Sequence, residues 1–180
     1  MSSFLDKYEK EIKPRLAAEF SLKNSLAVPR ILKIVVNQGA KEMAKDKALL
    51  EKLAGDLAAI AGQKPSVRRA KKSISEFKLV KGEPIGLMAT LRGKGMYDFL
   101  ERLVKIVLPR VRDFRGVLPE NLDEKGNFNL GVREQIVFPE IDYAKIGKPM
   151  GLQITVVISG NDKERAKRLL EEFGMPFAKK

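Results

Sequence analysis

Leu152, Ile154, Val156 and Ile158 take every second position between Gly151 and Ile158, with Gln153, Thr155 and Val157 between them. Alternation of this kind sends successive side chains to opposite faces and predicts a strand with one buried side. Ile85, Leu87, Ala89 and Leu91 alternate in the same way with Gly86, Met88, Thr90 and Arg92, which predicts a second strand over Ile85 to Arg92. A third runs from Arg30 to Asn37, a β-branched stretch bounded by Pro29 and Gly39. Its inward residues are expected to be Leu32, Ile34 and Val36, leaving Lys33, Val35 and Asn37 on the other face. Gln63 to Ala70 reads as a short strand started at Pro65, where no ladder donor is lost. With Val67 inward, Ser66 and Arg68 face outward.

Between these strands the apolar spacing changes to that of a helix. Phe4, Leu5, Tyr8 and Ile12 follow Ser3, whose partner Asp6 completes a capping box, and this helix should falter near Pro14. Leu49, Leu50, Leu53, Leu57 and Ile60 mark a helix from about Asp46 to Ala61, ended by Gly62; Gly55 within it costs about 1 kcal/mol relative to alanine. Met96, Phe99, Leu100, Leu103, Val104 and Val107 form one stripe after Gly93-Lys94-Gly95 and should stop at Pro109. A last helix is expected with Asn161 as its cap, Glu164 completing the box, and Gly174-Met175-Pro176 closing it. Residues 110–150 are dense in turn signals and carry no clear periodic element. Lys71 to Pro84, poor in large apolar residues, reads as a long exposed hairpin loop. The pattern predicts a single α+β domain over residues 1–180. It has a mostly antiparallel sheet with helices on one face, the other face open, and a long basic hairpin loop protruding at about 72–82.

Composition removes whole classes of chemistry from this frame. The chain has neither cysteine nor histidine, so disulfides, thiolate metal sites and every Ser-His-Asp arrangement are excluded. No apolar window approaches the about 18 residues of a membrane span, and the N-terminus lacks a signal-peptide pattern, so a soluble protein of the cytoplasm is expected, with no membrane partner. Gly-x-Gly-x-x-Gly does not occur, and Gly93-Lys94-Gly95 lacks the spacing of a phosphate loop, so no small-molecule nucleotide substrate is expected. Residues 121–126 echo a calcium loop only faintly, with Lys125 at a ligand position and Val132 where the bidentate Glu should sit. Glu140 and Asp142 could hold Mg²⁺, but two acids around an isoleucine read more simply as a polar face. No catalytic constellation, metal site or cofactor is expected.

Charge then supplies the positive assignment. The net charge is +12 and the pI about 9.9. Residues 64–94 hold nine cations, Lys64, Arg68, Arg69, Lys71, Lys72, Lys78, Lys81, Arg92 and Lys94, against two acids, Glu76 and Glu83. Such a density calls for a polyanion. The face expected to be open carries Lys33, Asn37, Ser66, Arg68, Thr90, Arg92, Gln153 and Thr155, donors suited to phosphates, 2′-hydroxyls and base edges. It has no aromatic stacking residue, so recognition should rest on shape, sugar and backbone rather than on stacked bases. In residues 116–150 the sign reverses, with four cations against six acids.

A set of motifs also resembles one family. Gly62-Gln63-Lys64-Pro65, Ala70-Lys71-Lys72-Ser73-Ile74, Gly82-Glu83-Pro84-Ile85-Gly86, Thr90-Leu91-Arg92-Gly93, Leu108 to Gly116, Gly126-Asn127-Phe128, Gly131 to Gln135 and Phe138 to Tyr143 stand in order and at fitting spacing. They resemble the bacterial form of the fifth large-subunit ribosomal protein, the 5S ribosomal RNA binder. Ala144 departs from the pattern, where an acid is expected. The resemblance implies a non-enzymatic structural constituent of the large subunit. It further implies 5S rRNA contacts at Asn37, Gln63, Ser66, Thr90 and Arg92, to which the facing argument adds Lys33, Lys64 and Arg68. It implies that the basic loop meets the P-site tRNA, through Lys72, Ser73, Phe77, Lys78, Lys81 and Gly82. Finally, it implies an intersubunit bridge to the thirteenth small-subunit protein, a basic protein of the head, drawing on Arg110, Arg112, Arg115, Glu134, Glu140 and Asp142, although the three arginines could meet large-subunit rRNA instead. The alternatives are a free-standing RNA-binding regulator and a Mg²⁺-dependent nucleic-acid enzyme.

Overall fold

The computed structural model describes residues 3–40, 46–111, 114–142 and 149–178. Five strands form one sheet in the order β2-β3-β1-β5-β4: β1 is Ile31–Gly39, β2 Ser66–Arg69, β3 Pro84–Leu91, β4 Phe128–Val132 and β5 Leu152–Ile158. Neighbouring strands run antiparallel. Ser66 pairs with Met88 and Arg68 with Gly86; the Ala40 N–H donates to the Ile85 carbonyl, and the Ser159 N–H to that of Arg30. Four helices accompany the sheet, making the α+β architecture that the alternating and helical periods predict.

The first helix, α1, combines Phe4–Lys7, a wider π turn at Tyr8–Ile12, and Lys13–Glu19. Ser3 and Asp6 make the expected capping box. Pro14 does not break the helix. The π turn comes immediately before it, with the Lys13 N–H reaching back to the Tyr8 carbonyl, and this wider winding relieves the clash a proline ring makes with the carbonyl four residues earlier. The same device recurs in α3, where Gly93–Arg102 continues through a π turn at Leu103–Val107 into Leu108–Arg110, so the helix admits Pro109 and ends one residue beyond it, next to the expected stop. The second helix, α2, is Lys47–Ala61, capped by the Asp46 carboxylate and ended by Gly62 at φ +67°. The fourth, α4, is Lys163–Glu172. Its cap is Asp162, which accepts from the Glu164 and Arg165 N–H groups, and not Asn161, which takes a left-handed φ of 48° to bring Asp162 into place.

The chain falls into two compact units. The first comprises residues 1–34, 92–130 and 155–180. Here α1, α3 and α4 share an aromatic cluster: Tyr8 lies 6.1 Å from Tyr97 and 6.2 Å from Phe173, and Phe4 5.2 Å from Phe173, between ring centroids. The buried Tyr8 hydroxyl donates to the Pro29 carbonyl at 3.1 Å. Burial raises the pKa of both tyrosines, that of Tyr97 to about 12. The second unit comprises residues 35–91 and 131–154, in which α2 packs on β3 through Leu53, Leu57 and Ile60. A buried polar chain crosses it: Gln38 Nε2 donates to Gln135 Oε1 at 2.6 Å, and Gln135 Nε2 to Asp56 Oδ2 at 3.4 Å. Partial burial raises the Asp56 pKa.

Burial follows the expected alternation with three departures. Leu152, Ile154, Val156 and Ile158 are all buried, as are Leu87, Ala89 and Leu91, while Ile85 is half-buried. In β1, Ile34 and Val36 are buried but Leu32 is 39% exposed, its place inside taken by Ile31. Regular alternation begins only at Ile34, so the strand enters the sheet one residue out of phase. Val67 stands opposite Leu87, on the inner side as expected, yet is 40% exposed because β2 is the edge strand. The strand β4 lies within residues 110–150, where the turn signals showed no periodic element.

Candidate nucleic-acid interface

β1, β3, β4 and β5 each carry one largely buried row of side chains and one partly open row, while the edge strand β2 is exposed along its length. On β1 the open row is Lys33, Val35 and Asn37, all half-buried. On β3 it includes Met88 and Thr90, and on β2 Ser66 and Arg68, which the ladder sets opposite Met88 and Gly86. The Ser66 hydroxyl donates to the Met88 carbonyl at 3.0 Å, which fixes the edge strand to its neighbour. Arg68 Nη2 reaches Met88 Sδ at 3.6 Å. Gln63 and Lys64 are exposed on the link from α2 to β2. Asn37, Gln63, Lys64, Ser66, Arg68 and Thr90 therefore all belong to the second unit, while Lys33 and Arg92 fall in the first. Arg92 is not within a strand: it follows Leu91 in extended conformation and occupies the N-cap position of α3.

Asn129 was missed by the sequence reading. It lies on β4, and its Oδ1 accepts from the Thr155 hydroxyl of β5 at 2.8 Å, so it shares the row of Thr155. The available signal was the alternation of Phe128, Leu130 and Val132, which the glycines at 126 and 131 disguised as turn sequence.

Residues 70–83 form a hairpin closed by backbone bonds. The Ala70 N–H donates to the Glu83 carbonyl and the Gly82 N–H to the Ala70 carbonyl, while Ile74 and Leu79 exchange two backbone bonds of 2.9 and 3.1 Å. The Ser73 hydroxyl accepts from the Lys81 N–H at 2.9 Å. Arg69 Nη1 donates to the Gly82 carbonyl at 3.0 Å, tying the hairpin to the edge strand. Lys72, Ser73, Lys78, Lys81 and Gly82 are exposed, as are Phe77 at 56% and Val80 at 60%. Lys78 sits at φ 47°, the left-handed position of the tight turn.

The six residues expected at an intersubunit bridge divide between the units. Arg110 and Arg115 are exposed in the first, Glu134, Glu140 and Asp142 belong to the second, and Arg112 lies outside the described residues, as does Ala144, the departure from the family pattern. Glu134 and Asp142 are exposed and Glu140 is half-buried. The Asp123 carboxylate, in the segment that echoes a calcium loop, accepts from Lys125 N, Asn127 N and Asn127 Nδ2 at 2.7 to 2.9 Å, bonds that hold its pKa below the usual carboxylate range. Among the described residues no group of three or more potential ligands gathers as a metal site, and no helix is long and apolar enough to cross a membrane.

A five-stranded sheet whose buried rows are apolar and whose partly open rows mix amides, hydroxyls and cations with Val35 and Met88, in a chain of net charge +12, makes this a structural protein of the α+β class. Comparison with known proteins makes the assignment specific. Residues 24–79 match the family model described as ribosomal protein L5, and residues 84–177 the model of the L5P family C-terminus. Among its relatives, the protein named large ribosomal subunit protein uL5 from Acidobacterium capsulatum is 54% identical over 96% of this chain and 94% of its own length. The protein of the same name from Caldanaerobacter subterraneus is 52% identical over 99% of this chain and 100% of its own. That from Chloroflexus aurantiacus is 54% identical over 96% of each. The chain belongs to the ribosomal protein L5 family, whose members are structural proteins and not enzymes.

Proposed function

We propose that the 180 residues work as one RNA-binding domain that holds 5S rRNA on the open row of its sheet and so helps to fix that RNA in the central protuberance. The protein is a constituent of the large ribosomal subunit, and its workplace is the cytoplasm. The observation that carries the finer reading is the two-sidedness of β1 and β3, which bury apolar residues on one side and leave Asn37 and Thr90 accessible on the other, where the exposed edge strand β2 adds Ser66 and Arg68. With no aromatic on that row, the amides, hydroxyls and cations contact phosphate, sugar and base edges of a folded RNA. Lys33, Gln63, Lys64 and Arg92 complete the set.

The hairpin at 70–83 meets the P-site tRNA in this reading. Lys72, Lys78 and Lys81 supply sequence-independent phosphate contacts, as a site serving every tRNA requires, and Ser73, Phe77 and Gly82 shape the tip. The acidic balance of residues 116–150, with Glu134, Glu140 and Asp142, suits the basic thirteenth protein of the small-subunit head, and Arg110, Arg112 and Arg115 serve either that bridge or large-subunit rRNA.

The test is a gel shift with 5S rRNA at fixed salt, paired with sedimentation of a lysate. Binding together with co-migration at the large subunit is the expected result. Binding without co-migration would favour a free-standing regulator, and no binding would remove the sheet-face assignment.

A further inference from the structure

Met88 stands midway along the open row of β3, opposite Ser66 across the ladder to β2. It is half-buried, whereas Met96 and Met175 are 2% and 3% exposed. Its sulfur lies 3.6 Å from Arg68 Nη2, a thioether placed beside a cation on a surface of donors. The chain contains no cysteine and no tryptophan, so methionine sulfur is its most readily oxidised group.

We propose that Met88 is a reversible oxidation site that weakens RNA binding through Arg68; the proposal rests on reading this face as the RNA-binding one. Hydrogen peroxide is the oxidant. The sulfur lone pair attacks one peroxide oxygen, the S–O bond forms as the O–O bond breaks, the sulfur is oxidised by two electrons, and water leaves. Two thiols reverse the step through a methionine sulfoxide reductase, giving a disulfide and water. A thioether accepts hydrogen bonds weakly, whereas a sulfoxide oxygen accepts them strongly, and the guanidinium already in place supplies a charge-assisted donor. The new bond holds Arg68 against its own sheet and withdraws it from phosphate. RNA bound across the row covers the sulfur in turn, so the free protein is the form that oxidises.

The experiment treats the full chain with dilute hydrogen peroxide, with and without 5S rRNA, and maps oxidation by peptide mass spectrometry. Met88 is expected to oxidise before Met96 and Met175 and to be protected by RNA. The oxidised protein should bind 5S rRNA about tenfold more weakly, in the range of losing one specific nucleic-acid contact. Sulfoxide reductase with a thiol should restore affinity, and peroxide-treated Met88→Leu should keep it. Met88 oxidising no faster than the buried methionines overturns the proposal. So does a Met88 sulfoxide that binds like the untreated protein, or an equal loss in peroxide-treated Met88→Leu, which would place the effect elsewhere. If untreated protein does not bind 5S rRNA, the functional reading itself fails and the regulatory consequence with it, while the mapping still decides whether Met88 is the reactive sulfur.

Discussion

Gly86 shows how closely single residues are fitted to this sheet. A Cβ at that position would lie 2.6 Å from the Gln38 carbonyl oxygen, a backbone atom that cannot swing aside. Gly86→Ala should therefore destabilise the protein by about 1–3 kcal/mol, the range for forced overpacking, read as a lower urea midpoint. The sequence showed a glycine within a strand but not the atom it makes room for. Residue-scale consequences for RNA are as direct: Arg92→Ala or Asn37→Ala should weaken 5S rRNA binding by about 1–3 kcal/mol, and an unchanged gel-shift affinity at fixed salt would contradict the sheet-face assignment. Tyr97 provides a prediction in pH. Burial raises its pKa from 10.0 to about 12, so above pH 10 the unfolded chain releases a proton that the folded one retains. The native protein then binds more protons, and its stability should fall as pH rises from 10 towards 12. In Tyr97→Phe the alkaline slope of the denaturation midpoint should be shallower, and a slope equal to that of the parent would show that Tyr97 does not contribute.

Among the elements, those whose signal was a local period were legible and those governed by their neighbours were not. The alternation of Ile85 to Leu91 and of Leu152 to Ile158 gave β3 and β5 because β5 buries one full side and β3 one side from Leu87 onward. β4 was hidden because Gly126 stands just before it and Gly131 within it, so its five residues read as turn sequence. The first helix runs on past Pro14 to Glu19 for a different reason. The π turn that admits Pro14 and Pro109 is a backbone adjustment with no residue code of its own. Asp162 rather than Asn161 caps α4, and Asp162→Ala should cost about 1 kcal/mol, measurable by thermal or urea denaturation. At the hairpin, deleting Phe77 to Lys81 should leave 5S rRNA affinity intact and weaken retention of P-site tRNA on reconstituted ribosomes. The reverse pattern would mean that the hairpin has been assigned to the wrong RNA.

At the scale of the whole molecule, charge is the dominant property, and it was fully legible because it needs no fold. What the fold adds is where that charge can act: Arg68 is on the open row, while Arg69, its neighbour in sequence, is spent on the Gly82 carbonyl. Counterion release gives this distribution a measurable form. The logarithm of 5S rRNA affinity should fall linearly with the logarithm of salt concentration, and Lys64→Ala should reduce that slope by about one if its ammonium neutralises a phosphate. The division of the chain into two compact units was not visible in the sequence, since β1, β4 and β5 each pass from one unit into the other without a linker.

The backbone bonds from Ala70 to Glu83 and from Ile74 to Leu79, with the Arg69 bond to Gly82, make the hairpin a hydrogen-bonded continuation of β2 and β3. On the proposed reading, one nucleic acid rests on those strands and another meets the hairpin tip. The hairpin then acts as a ruler: it sets the separation of two RNAs by a fixed length of protein.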